Sequence, residues 1–413
     1  MGSFTAGAAM TPGTYEGTAE GRFGPVTVEV TVSEEQIEDV TVREHHDSDG
    51  ISTLPTTRIP EEIVKYQSLG VDTVTGATIT SYGVINAAAA ALEEAGADVK
   101  ALKEAEVTYE ELAHDDLEAD VVVAGSGVAG LTAAASAVSQ GADVVVVEKQ
   151  DYAGGTLIIA GAYLVYADGS NAQDMDATTE RVMDFYHRVN EDSVRTPDYD
   201  FVEGLVSASG PAIDYFTETV GLTMEYVDFG NFVMSHHTGN GAGMVAQLKE
   251  YIENNGGRIL TGTTATEILM EDGKAAGLKV KNRSGEFTVK AGKTIIATGG
   301  SSYDEEALAA NNPELETIHL FSESTPGDTG DGAHMMEAVG AAMGNGPYIK
   351  SDVAAFPYSF HMDWTNTPSP ADKIVVDAEG KRFANDNPIL NYMFNTYLLR
   401  RASSAYYMLF DTL

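Results

Sequence analysis

Ala119-Asp120-Val121-Val122-Val123-Ala124 runs straight into Gly125-Ser126-Gly127-Val128-Ala129-Gly130, an apolar run closed by three spaced glycines. A short apolar run bounded by glycine reads as a buried strand. The Ala- and Val-rich stretch that follows, as far as Gln140, carries a helical pattern. Ala142 to Val147 is a second β-run with Glu148 at its tip. A lone G-x-G-x-x-G is weak evidence. Set between a strand and a helix, with an acidic residue about 20 positions on, it marks a dinucleotide-binding βαβ unit. Gly125 is expected to make the tight turn and Gly127 to let backbone approach a pyrophosphate. Gly130 should pack helix on strand, and Ala129 lies with it in the first turn, whose N–H groups favour phosphate. Glu148, with Lys149 beside it, is placed to accept hydrogen bonds from an adenosine ribose.

Downstream, Gly154-Gly155-Thr156 and Ala160-Gly161-Ala162 form a second small-residue segment. It suits a flavin dinucleotide, whose ring system passes close to backbone, better than a nicotinamide one. Non-covalent FAD is therefore the expected cofactor. A hairpin, Glu267 to Val280, precedes the strand Lys293 to Ala297, which closes in Thr298-Gly299-Gly300. Thr329-Gly330-Asp331-Gly332 opens a helix over Ala333 to Val339. From about 119 to 340, and more loosely to 413, this pattern resembles the soluble fumarate reductase, urocanate reductase and 3-ketosteroid dehydrogenase flavoproteins. Their strand returning to the FAD site reads like Ile295 to Gly300, and their T-G-D-G element like 329–332. The resemblance implies FAD contacts from Ala297, Thr298, Gly299 and Asp331.

Upstream, residues 10–97 read as a small α+β unit. Thr14 to Gly21 and the alternating Val26-Thr27-Val28-Glu29-Val30-Thr31-Val32 suggest a hairpin turning at Gly24-Pro25, and Ile37 to Val42 adds a strand. Pro60 is read as a helix start leading Glu61 to Ser68, with Gly70 ending it. Asp72-Thr73-Val74-Thr75-Gly76-Ala77-Thr78 precedes the Ala-rich helix Ser81 to Ala95. There Gly76 permits a sharp turn, Thr75, Thr78 and Thr80 are possible caps, and the helix start favours a phosphate. Asp72 either orders the turn or helps to bind a metal ion. This string resembles the acceptor motif of FMN-binding domains, D-x-x-[ST]-G-A-[ST]. The resemblance implies that Thr78 carries FMN as a phosphoester installed by a flavin transferase. Residues 98–118 are polar and acidic and read as a partly helical connector.

The third region, 341–413, is read as the start of an α+β capping domain. Lys373 to Asp386 resembles the family's V-N-x-x-G-x-R-F-x-N-E hairpin, and then the likeness frays. Fumarate and urocanate reductases continue with T-T-R-D, whose Arg delivers a proton to substrate. An ungapped match puts that Arg on Leu390, which cannot donate one. Tyr348-Ile349-Lys350 is not followed by the expected His, and no Thr-Glu-x-x-Arg string appears. Fumarate is thus an unexpected substrate. Tyr392 is the candidate acid, with packing in an aromatic cluster as its other reading; Arg400 and Arg401 are runners-up. His236 and His237 occupy the place of the family's H-R-P-T-G-G. They either bind a carboxylate or sit near the flavin, or else one caps the loop while the other is solvated. His45-His46 reads as a solvated turn, and no metal site is expected. Since the family continues beyond the point matched by Leu413, the C-terminal portion of the protein is expected to be absent from this chain.

Composition bounds the partners. Lys+Arg of 24 against Asp+Glu of 63 gives a net charge of −39, which argues against nucleic acid or anionic membrane as main partners. With no cysteine, the chain lacks Cys-ligated iron–sulfur clusters and C-x-x-C-H haem sites. No run approaches the roughly 20 apolar residues of a membrane span. An extracytoplasmic or cell-surface bacterial location is the reading from acidity. The expected fold is an N-terminal FMN-binding domain, an α/β Rossmann-like FAD domain and an incomplete cap. The expected activity is reduction of an activated alkene (an enoate or enone) by an external electron donor. A 3-ketosteroid-type dehydrogenase and a non-catalytic flavin electron carrier are the alternatives.

Overall fold

The computed structural model describes residues 10–47, 51–107 save 75, 115–190, 198–304 save 231 and 284, 306, 308, 324–343, 373–376, 379–382 and 407–410. By internal contacts the chain divides into two units. One joins Met1–Gly161 to Gly239–Thr298; the other joins Ala162–Thr238 to Gly299–Leu413. The stretch read from sequence as 119–340 is shared between them.

The first unit begins with a three-stranded antiparallel sheet, β1 (Gly13–Glu20), β2 (Pro25–Val32) and β3 (Ile37–Glu44). Val26, Val28, Val30 and Val32 alternate inward and are buried. At roughly 1.5–3 kcal/mol per fully buried aliphatic side chain, that single face accounts for much of the sheet's stability. Helices α1 (Thr53–Tyr66) and α2 (Thr78–Glu94) cover it. Gly17 permits the closest approach of α2: a Cβ there would lie 2.1 Å from the Ala87 carbonyl oxygen. The short helix α3 (Val99–Glu104), N-capped by Asp98, follows.

Pro60 does not start a helix. It lies inside α1, whose last residue is followed by Gln67 in the left-handed conformation rather than by a glycine cap. Proline in a helix interior removes a donor and costs about 3 kcal/mol. Here Pro60 is buried beside Ile59 and Ile63, and the Thr56 and Thr57 hydroxyls donate back to the carbonyls of Ser52 and Thr53 at 2.7 and 2.9 Å. Burial of the apolar face thus outweighs the local signal.

Next comes the dinucleotide-type sheet: β4 (Leu117–Ala124), α4 (Val128–Ser139), β5 (Val144–Val147), α7 (Asn240–Asn254), β9 (Arg258–Leu260), β10 (Thr264–Glu271), β11 (Lys274–Asn282) and β12 (Gly285–Ile296). Its strand order is β10-β11-β12-β4-β5-β9. β12 is longer than its sequence pattern suggests. Its first half pairs antiparallel with β11, and its second half pairs parallel with β4. Val122, Ala124, Val145, Val147, Leu278, Val280, Phe287 and Val289 form the shared core.

The second unit holds a small antiparallel sheet, β6 (Tyr163–Tyr166), β8 (Val233–His237) and β7 (Met224–Asp228), with helices α5 (Thr179–Asn190) and α6 (Tyr199–Thr219). The fully buried Tyr166 donates to Asp214 of α6 at 2.7 Å. Burial, then this bond to a carboxylate, holds the phenol well above the usual tyrosine range. Helix α8 (Asp331–Ala338) and the pair β13 (Lys373–Val376) and β14 (Tyr407–Phe410) belong to the same unit.

Candidate flavin sites

The glycine turn is built as its spacing requires. Gly125 adopts φ +97°, and a Cβ there would meet the Ala297 carbonyl oxygen at 2.4 Å. Gly130 is tighter still, with 1.9 Å from its would-be Cβ to the Gly125 oxygen. Gly127 is different: nothing lies within 4 Å of its Cβ position. It is the N-cap of α4 and no side chain caps that helix. The first turn of α4 thus opens beside a residue without a side chain, with Val128 and Ala129 exposed and Gly130 buried, and the N–H groups of a helix start favour a phosphate. That is an arrangement into which a pyrophosphate fits.

Glu148, 7 % exposed, is held by its neighbours. One carboxylate oxygen accepts from the Ser126 N–H at 2.9 Å and the Ser126 hydroxyl at 2.7 Å. The other accepts from the Gln150 N–H at 2.8 Å. A carboxylate has about four acceptor positions, so capacity for a ribose hydroxyl remains. Ser126 also receives the Gly154 N–H on its hydroxyl at 3.1 Å. This draws the second small-residue segment in, with a Gly155 Cβ only 3.2 Å from the Gly127 Cα. Gly125, Gly127, Glu148, Gly155, Ala297 and Thr298 are thereby brought together. Thr156 and Gly161 are exposed on the same segment, and Lys149 is half-buried. Ser126 and Gln150 were not singled out by sequence; the only signal was the position of a serine between the first two glycines.

In the N-terminal domain, Thr78 is the first residue of α2 and is exposed. Neither Thr78 nor Thr80 caps the helix, and Thr75 lies outside the described residues. Ala77 is the N-cap without a side-chain bond. Ser81 ties the loop instead: its hydroxyl accepts from the Val74 N–H at 3.0 Å and donates to the Ala77 carbonyl at 2.8 Å. Thr78 is exposed at a helix start without a side-chain cap, two residues past Gly76 at φ +86°. Ile79 and Tyr82, 52 and 55 % exposed, flank it. Asp72 is exposed at the loop's start.

In the second unit, His236 and His237 sit on β8, where successive side chains point to opposite faces. His237 is buried at 3 % exposure. His236 stacks on Tyr163 at 4.9 Å between ring centroids and lies 3.4 Å from Glu225. Gly299 adopts φ +82° and faces Asp328, whose carboxylate accepts from the Ser302 N–H at 3.2 Å. Asp331, in the first turn of α8, accepts from the Thr329 hydroxyl at 2.8 Å. Tyr392, Arg400 and Arg401, with Leu390 and Tyr348, lie outside the described residues.

The FAD binding domain model matches residues 120–388, and the FMN-binding domain model matches 21–93. The NADH:acrylate oxidoreductase of Vibrio harveyi is 26% identical over 91% of this chain and 44% of its own length. The urocanate reductase of Eggerthella lenta is 27% identical over 96% and 67% respectively. A cytochrome-type fumarate reductase of Shewanella frigidimarina is 30% identical over 72% and 52%. The chain thus spans about half to two thirds of the length of these curated relatives. Among solved structures, the 3-ketosteroid delta1-dehydrogenase of Sterolibacterium denitrificans gives a TM-score of 0.56 at 16% identity, covering 71% of this chain and 69% of that one. A flavocytochrome c3 fumarate reductase gives 0.51 at 19%, covering 69% and 53%. The fold is that of this flavoprotein group, and the chain belongs to the FAD binding domain family, with an FMN-binding domain ahead of it.

Proposed function

We propose that this chain is the flavin-bearing part of a reductase acting on an activated C=C bond, an enoate or enone other than fumarate. The observation that carries the reading is the presence, in one chain, of an exposed Thr78 acceptor loop and a built glycine turn with Glu148 behind it. The relatives named for acrylate, urocanate and fumarate reduction support it. FMN on Thr78 and non-covalent FAD would together supply electron transfer from an external donor and hydride delivery to the alkene. The chain's own residues do the rest. The α4 N-terminus holds pyrophosphate, Glu148 orients ribose, and Gly155 keeps backbone close to the cofactor. Tyr392, with Arg400 and Arg401 as the other candidates, is assigned the proton donor on sequence alone. Maturation calls for a flavin transferase. A location outside the cytoplasm belongs to the same proposal and is tested by cell fractionation.

The test uses the complete protein with reduced viologen as donor and a panel of alkenes. A correctly placed acid contributes roughly 10² to 10⁴ in rate. Fumarate is therefore expected to turn over far more slowly than the best apolar or aromatic enoate. Comparable fumarate turnover overturns the substrate assignment, and full activity in Tyr392→Phe removes that residue from proton transfer. Failure of every alkene to oxidise the reduced protein overturns the reductase reading in favour of an electron carrier.

A further inference from the structure

The region matched as FMN-binding and the region matched as FAD-binding are joined within the first unit by a crossed set of charges. Arg58 of α1 reaches out to Asp151, which lies three residues past Glu148, with Nη1 at 3.1 Å from Oδ2. Its Nη2 donates to the Asp72 carbonyl at 3.0 Å. Arg283, just after β11, reaches back: its Nη2 is 3.6 Å from Asp72 Oδ2 and 4.0 Å from Asp151 Oδ2. Each domain thus lends one cation to the other's carboxylate. The Arg58 and Asp151 side chains are only 18 and 12 % exposed, so solvent screens them less than an ordinary surface pair. Between the two arms, Gly76 of the acceptor loop abuts Gln150 and Tyr152. A Cβ on Gly76 would lie 2.3 Å from Gln150 Oε1 and 2.7 Å from the Tyr152 oxygen.

This contact is not a fused core. Gln150 is 2 % exposed, yet its Oε1 has no hydrogen-bond partner. Glu62 Oε2 is likewise buried without a hydrogen bond, while Glu62 Oε1 lies 3.6 Å from Arg58 Nε within α1. A buried polar atom without a hydrogen bond is destabilising, and separation of the surfaces would hydrate it. Attraction between the crossed charges opposes that gain. The balance describes a contact able to open.

We propose that Arg58, Asp72, Asp151 and Arg283 form a releasable electrostatic latch that seats the loop carrying Thr78 on the segment Glu148–Tyr152 of the dinucleotide domain. Its significance for electron delivery rests on the assignment of FMN to Thr78. The latch itself does not. Docked, it fixes the acceptor loop against the segment that continues from the ribose-binding carboxylate. Undocked, it frees the loop to meet an external donor.

Amide exchange of the flavin-free full chain, followed by mass spectrometry over residues 70–78 and 148–154, tests it. Arg283→Gln and Arg58→Gln are each expected to speed exchange in both segments by about tenfold, the scale of one partly buried ion pair. Arg58→Gln combined with Asp151→Asn should cost less than the sum of the two single changes, because the Arg58–Asp151 pair is lost in both. Raising salt toward 1 M, where the screening length falls to about 3 Å, should reproduce the effect in the unmodified chain. In the flavin-loaded protein, Arg283→Gln should slow electron transfer from FMN to FAD without changing the FAD content. Faster exchange in 70–78 alone would show that Arg58 merely shapes its own loop and would overturn the latch. So would additive effects in the Arg58/Asp151 cycle. Absence of flavin on Thr78 with the exchange results intact would remove the electron-transfer role and leave the docking contact standing.

Discussion

Glu148→Gln tests whether the carboxylate is a ribose ligand alone or also the tie that holds the glycine turn. The native carboxylate accepts three hydrogen bonds, two from Ser126 and one from Gln150. Hydrogen bonds to a charged group contribute about 1.5–3 kcal/mol, neutral ones about 0.5–1.5. The amide keeps one accepting oxygen. If that oxygen stays with Ser126, both bonds there fall to neutral strength and the amide NH₂ confronts the Gln150 N–H. The loss is about 1 kcal/mol for each downgraded bond and about 1–3 kcal/mol for the orphaned donor. Relief of burying a charge offsets part of it, leaving roughly 3 kcal/mol. At 1.4 kcal/mol per factor of ten, amide exchange over residues 122–130 of the flavin-free chain should quicken about 100-fold. Exchange is the right assay because a chain of two units does not unfold in one step. FAD affinity, titrated in parallel, should also fall. Weakened FAD binding with unchanged exchange would refute the structural argument, since the carboxylate would then serve the ligand only.

Gly130→Ala should yield chain unable to retain FAD, because its methyl would stand 1.9 Å from the Gly125 oxygen; Gly127→Ala, with open space at that position, should fold normally by circular dichroism and lose only FAD affinity. Thr78→Ala, co-expressed with a flavin transferase, should lose the mass of one FMN less one water on the peptide spanning that residue while keeping its FAD, and a native peptide lacking that mass would refute the acceptor role. Burial raises the Glu62 carboxyl above its ordinary range, and Arg58 and Arg283 only partly oppose it. Its contribution is therefore fully present below the unfolded value near 4.3 and lost as pH rises through the folded one. Glu62→Gln should accordingly be more stable than the native chain near neutral pH, with the gap closing toward pH 4 in thermal melts.

Local chemistry was enough to read the strand–turn–helix around Gly125, the valine alternation of β2 and the glycine turn before α2. In each, the governing interactions lie within a turn or a strand period. It failed at Pro60, where the preference for proline at a first helical position was overruled by burial against Ile59 and Ile63. It missed Ser126 and Gln150 because a serine between glycines looks like filler until the carboxylate that it holds comes back 22 residues later. β12 could not be read whole, since its polar first half is a strand only by pairing with β11. The adjacent imidazoles at 236 and 237 were separated by β8, whose pleat sends neighbours to opposite faces. The Arg58–Asp151 pair joins residues 93 positions apart. No periodicity encodes such a contact, because it exists only once two independently patterned domains have folded and their charges have met.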